Sequence, residues 1–179
     1  MKRIIPMIII VSLVFISCVP KSYITKDIDK VGITTEALPW VLEFPDFGCK
    51  LVMENVRHDG KAAYVLFTTL KPYWNISFFI EPALKCKDPK SCRDFSVNAN
   101  YPIRNALVGM DDYPECSTAA YMNLPTDQKQ VNTKHVYAHF VREGYWIDMH
   151  ISKGNFEESD QAFFENVFLN VNFRQKVRK

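Results

Sequence analysis

Three of the chain's four histidines stand close together, as His135, His139 and His150, with Asp148 beside the last of them. Imidazole nitrogens and a carboxylate each offer a lone pair to zinc or another divalent ion at roughly 2 Å, so metal or small-ligand binding is the chemistry this group suggests. Whether the four side chains meet depends on register. Lys134 to Arg142 and Tyr145 to Lys153 alternate apolar and polar residues around Glu143-Gly144, the pattern of two strands joined by a two-residue turn. In that pairing Phe140 faces Ile147 and Ala138 faces Met149, and Val136, Ala138, Phe140, Ile147, Met149 and Ile151 share one face. A slip in the loop would mix this set with histidines, so burial of the face selects the register. The opposite face then carries His135, Tyr137, His139, Trp146, Asp148 and His150, with His139 across from Asp148 and Tyr137 across from His150. The plainer reading of such a face is a polar outer surface, with His139 and Asp148 as a cross-strand pair about 5 Å apart at Cβ.

Other chemistry is poorly represented. The chain has no G-x-S-x-G, no H-E-x-x-H and no glycine-rich phosphate loop among only 6 glycines, which argues against an enzyme. Of the 5 cysteines, Cys49, Cys86, Cys92 and Cys116 form an even set once Cys18 is set apart. Two disulfides are expected from them in an oxidising compartment. Four cysteines allow three pairings; Cys86–Cys92, closed by an Asp88-Pro89 turn, with Cys49–Cys116 is the favoured one. A four-cysteine zinc site would need paired C-x₂-C spacings that are missing.

The compartment is suggested by the first residues. Met1-Lys2-Arg3 precedes an apolar run from Ile4 to Ile16 and then Ser17-Cys18, the layout of a cleaved secretory signal over 1–17 and too short for a permanent span. Val14-Phe15-Ile16-Ser17-Cys18 resembles the lipobox of bacterial lipoproteins, with Phe15 where that family usually carries leucine. The resemblance implies that Cys18 becomes an acylated N-terminus and that the acyl chains hold the protein on a membrane. Val19 lacks the aspartate that resembles an inner-membrane retention signal, so the expected place is the outer membrane, facing the periplasm, in a host with two membranes. Lys2 and Arg3 are the only charges in 1–17. Without them the 22 basic residues fall level with the 20 acidic ones, and neither charge nor location suits a nucleic-acid partner.

The positioning elements are mostly strands. Residues 18–39 mix charges with isolated apolar residues and are expected to be a lipidated N-terminus and tether. From Trp40 to Lys179 one domain is expected. The stretch 48–57 alternates Cys49, Leu51 and Met53 against Lys50, Glu54 and Arg57, and Asp59-Gly60 turns it into a second strand over 61–70. Trp74 to Ile80 is a third strand. Asp88 caps a short helix over 89–99 with proline at its first position. Ala106 to Met110 and Ser117 to Asn123 are shorter strands, and a final helix runs from about Glu158 to Leu169 with Ala162, Phe163, Val167 and Phe168 as its apolar stripe. The fold class is α+β, with one antiparallel sheet of six to seven strands, a middle helix and a C-terminal helix.

The ending EGYWIDMHISKGNFEESDQAFFENVFLNVNF resembles the last hairpin and helix of PsbP-like domains, an α/β/α sandwich. That resemblance implies a binding or assembly module rather than an enzyme. The functional expectation is a lipid-anchored, non-catalytic envelope protein that binds another envelope protein. An immunity protein against an envelope-targeted toxin fits the same features, and a zinc or small-ligand carrier using the 135–150 face is a further alternative. Aromatic pairs such as Tyr73-Trp74, Phe78-Phe79 and Tyr145-Trp146 point to both sides of their strands, so a sheet face left open by the helices would display a protein-binding patch.

Overall fold

A computed structural model of the chain describes residues 22–69, 73–99, 106–123 and 132–176, and the expected signal sequence and Cys18 lie outside them. The order is β1 (Ser22–Lys26), β2 (Lys30–Thr35), β3 (Trp40–Pro45), β4 (Lys50–Val56), β5 (Ala63–Thr68) and β6 (Asn75–Pro82), followed by helix α1 (Pro89–Ala99). Then come β7 (Leu107–Asp112), β8 (Ser117–Met122), β9 (Lys134–Arg142), β10 (Tyr145–Lys153), helix α2 (Gln161–Leu169) and β11 (Asn172–Gln175). The class is α+β. Two antiparallel sheets are present, a seven-stranded one in the order β4-β5-β6-β10-β9-β8-β7 and a four-stranded one in the order β1-β2-β3-β11. The single sheet expected from sequence is the larger of these; the smaller one was not expected.

Local chemistry accounts for the joints. Glu143 and Gly144 both take positive φ, 48° and 78°, as a two-residue hairpin turn of this type requires. The Asp88 carboxylate accepts the Ser91 N–H at 2.9 Å and so caps α1. The core lies between the sheets, where Phe44 of β3 meets Phe67 and Phe78 at ring distances of 5.4 and 4.9 Å. Helix α2 closes one end: Phe163 stacks on Trp74 at 4.0 Å and Phe164 meets it edge-on at 4.7 Å. Phe164 and Val167 are fully buried anchors of that helix, while Ala162 of the expected stripe is exposed.

Three expectations need correction. From Ser22 onward the supposed tether is folded, with Val31, Ile33 and Leu38 in the core. The apolar alternation there is short and broken by charges at the β1–β2 turn, which hid it. Ile33→Ala is therefore expected to cost about 2–4 kcal/mol in denaturant unfolding; a tether residue would cost nothing measurable. Cys86 and Cys92 are bonded, but Cys49 and Cys116 are free, buried thiols. Cys49 precedes β4 and Cys116 precedes β8, five strands along the same sheet, which at about 4.8 Å per step is far beyond disulfide reach. Burial pushes the Cys116 thiol up to about 12 and raises Cys49 as well, so both are unreactive. Finally, the alternation in β4 fails at a bulge between Leu51 and Met53, so Met53 pairs with Leu66 and turns away from the core.

Candidate functional site

Strands β9 and β10 pair in the expected register, with His139 opposite Asp148 and Tyr137 opposite His150. The face they form is not an outer surface. Helix α1 lies across it: Val97 packs with Ala119 and Tyr121, and Phe95 meets Trp146 edge-on at 6.1 Å. The Cys86–Cys92 bond sits against Trp146, and the buried Arg93 guanidinium donates to Asp112 at 2.6 Å and to Asp94 at 2.8 Å. These contacts bind both ends of the roof to the sheet. What read as a solvated polar face is largely covered: His135, His139 and Trp146 are buried, and Tyr137, Asp148 and His150 are half-buried.

The polar groups there divide into two pairs. His135 Nδ1 and His150 Nε2 are 2.9 Å apart and share one hydrogen bond, and the Tyr137 ring stacks on His150 at 4.3 Å. The second pair is His139 with Asp148. Trp146 Nε1 donates to His139 Nδ1 at 3.2 Å, which assigns the imidazole proton to Nε2. That Nε2 is buried with no hydrogen-bond partner, and so is Asp148 Oδ1, which lies 3.6 Å from Nδ1. His139 is 0% exposed and the Asp148 side chain 21%. Burial, helped by the Arg93 charge, pushes His139 down to about 3. Burial, helped by Glu81, pushes Asp148 up to about 7. His150 is also held down to about 3 by burial and by His135. Both shifts oppose an ion pair: His139 is uncharged at neutral pH, and the Asp148 carboxyl gives up its proton only near pH 7.

This arrangement changes the metal reading. His135 and His150 spend a nitrogen on each other, His139 spends one on Trp146, and the four candidates do not converge on one point. Among the described residues no group of three or more His, Cys, Asp or Glu side chains is set to hold a metal ion.

The other half of the same sheet face is open. Cross-strand pairing brings Met53 beside Leu66, Asn55 beside Tyr64, Tyr64 beside Phe79 and Phe79 beside Asp148, so Met53, Tyr64, Leu66 and Phe79 lie on the side that α1 covers farther along. Met53 is 53% exposed and Phe79 41%. Next to Phe79 is a shallow depression of about 300 Å³, lined by Asn55, Arg57, Ala62, Ala63, Tyr64 and Glu81 as well as Phe79. An apolar floor with an amide, a guanidinium and a carboxylate at its rim has the make-up of a protein interface. Its volume is at the lower limit for small-molecule sites and suits one inserted side chain. Sequence reasoning assigned Met53 to the core and left open which aromatic was exposed. The signal was Phe79, one of two adjacent phenylalanines on a strand that can bury only one of them in the same layer.

The chain matches no protein-family model, no curated protein and no solved structure. Function is therefore argued from the site alone.

Proposed function

We propose that the chain is a lipid-anchored protein of the cell envelope that binds another envelope protein through the open β4–β6 face and has no catalytic role. The observation that carries this reading is Phe79, 41% exposed in mid-strand beside a depression with a polar rim. A large aromatic so placed costs hydration in the free protein and is recovered by a partner that covers it. The full burial of His139 supports a non-catalytic reading, because a substrate has no route to its imidazole. Acylation of Cys18, facing the periplasm from the outer membrane in a host with two membranes, remains the anchoring we propose from Val14 to Cys18. Among the described residues no helix is long and apolar enough to cross a membrane. For the hairpin and helix over 143–173 we keep the PsbP-like α/β/α arrangement as a proposal about the fold.

The test is affinity capture from envelope extract with the full chain, comparing wild type with Met53→Asp. One stoichiometric protein bound by wild type and lost from the variant supports the reading, and its identity separates an assembly component from a toxin neutralised by an immunity protein. Equal capture by both forms contradicts it.

A further inference from the structure

The covered and open halves of the large sheet meet at one cross-strand pair, Phe79 of β6 and Asp148 of β10. Residues paired in this way share a face and hold their Cβ atoms about 5 Å apart. Exposure rises across that face from His139 of β9, fully covered, through Asp148, whose side chain is 21% exposed, to Phe79 at 41%. Water therefore reaches the carboxyl by the same opening that displays the ring. The groups around it offer an anion little. Asp148 Oδ1 has no hydrogen-bond partner. Glu81, two residues beyond Phe79 on the same face of β6, is a second carboxylate whose charge opposes ionisation of Asp148. From β9 comes the His139 imidazole, 3.6 Å away and kept uncharged by burial. From β8 comes the Tyr121 hydroxyl, and along β10 itself His150, also kept uncharged by burial. Helix α1 brings Arg93, but its guanidinium is engaged by Asp94 at 2.8 Å and by Asp112 at 2.6 Å. Lys85, in the loop after β6, lies over the Phe95 ring at 5.1 Å, and Arg57 at the rim of the depression is forked onto Asp59. Among the described residues no lysine or arginine pairs with Asp148.

A partner seated on Phe79 also covers Asp148. A standard interface takes about 800 Å² from each protein, roughly 30 Å across, and the neighbouring strand is only about 4.8 Å away. Covering removes the last water from an acid with no donor or cation in reach, which penalises the ionised form far more than the protonated one. We infer that the open β4–β6 face is gated by a proton: Asp148 must be protonated for a partner to seat on Phe79. The inference rests on the proposed binding at that face. Burial and Glu81 raise the Asp148 carboxyl to about 7, so the gate works in a range the free chain can cross. The complex keeps a proton that the free chain releases as pH rises, so binding is at full strength below about pH 6 and weakens above about pH 7. About nine chains in ten carry the proton at pH 6 and about one in ten at pH 8, which lowers the apparent affinity about tenfold between them. The contact forms in acid and is released in base.

The test immobilises the full chain at graded density and measures, at pH 6 and pH 8, retention from envelope extract of the protein whose capture is lost with Met53→Asp. For wild type the density needed for half-capture is expected to be about tenfold higher at pH 8. Asp148→Asn has no proton to lose and is expected to retain the partner at both pH values within about twofold. Asp148→Ser, also uncharged and smaller, is expected to do the same and stands in should the amide pack poorly. Equal retention by wild type at pH 6 and pH 8 overturns the gate and leaves the binding face. Tighter retention by wild type at pH 8 overturns it as well, and assigns to the partner a lysine or arginine that pairs with the ionised carboxylate. The same loss at pH 8 in wild type and in both variants places the titrating group on the partner or on Glu81, which overturns the assignment to Asp148. If no protein is captured through Met53 at either pH, the gate and the binding face fall together.

Discussion

Asp148→Asn is expected to stabilise the protein at pH 8 by about 2–4 kcal/mol while changing it by less than about 1 kcal/mol at pH 4. Asp148 is raised from 3.8 to about 7 in the folded chain. Between those values the folded state holds a proton that the unfolded state has released, so this carboxyl takes away stability as pH rises from about 4 to about 7. Asparagine keeps the shape of the protonated acid and has no charge to lose. His139 and His150 act in the other direction. Each falls from 6.5 to about 3 on folding, so the unfolded state binds more protons in that window and stability rises with pH up to about 6.5. Two such histidines outweigh one carboxyl, and the wild type should be most stable near pH 6.5 as far as these groups decide it. Removing Asp148 steepens the rise and abolishes the loss above it. Urea unfolding of both proteins at pH 4, 6.5 and 8 measures this. A variant less stable than wild type at pH 8 would mean that Asp148 is ionised and paired with His139.

Phe79→Asp is expected to weaken partner binding by about 30-fold or more, the scale of an interface residue contributing at least 2 kcal/mol, with a smaller loss of folding stability than the same change at Phe78. The ring is 41% exposed, so the fold depends on it far less than on Phe78, which is fully buried on the other face. Ile28→Asp is the control. Ile28 is 99% exposed in the β1–β2 turn, at the far end of the strands from the Arg57–Gly60 turn, and its replacement removes the same kind of surface without touching the β4–β6 face. Titration of the captured partner against both variants should separate them. Equal weakening by the two would point to general surface hydrophobicity, and no weakening by Phe79→Asp would clear the face of any role.

The elements legible in sequence were those whose signals agree with one another. In the 134–153 hairpin, alternation, the Glu143-Gly144 turn and the requirement to bury Phe140 with Ile147 all specify one register, and that register is present. The cap at Asp88 was legible for the same reason, since proline and a capping side chain coincide. The roof over His139 was not. Helix α1 is polar along much of its length, and it seals the face with Arg93, Phe95, Val97 and the Cys86–Cys92 bond rather than with a continuous apolar stripe. A polar pair therefore looked like solvent-facing surface when it is largely covered. Strands β1 and β2 were missed because Val31 and Ile33 bury themselves against β3, a tertiary partner that no local pattern announces. In β4 a single bulge reversed the facing of Met53, which periodicity alone cannot anticipate. The open β4–β6 face, proposed here to bind a partner, is thus a product of two tertiary facts: where α1 stops and where β4 slips.

The most direct measurement of the central claim is site-specific photo-crosslinking in intact cells of the source organism, with the reactive residue placed at position 79 in one strain and at position 28 in another. One discrete crosslinked protein at position 79, absent at position 28, is the predicted result, and its identity names the partner. Crosslinks at both positions to the same mixture of proteins, or none at position 79, would contradict a dedicated binding face on β4–β6.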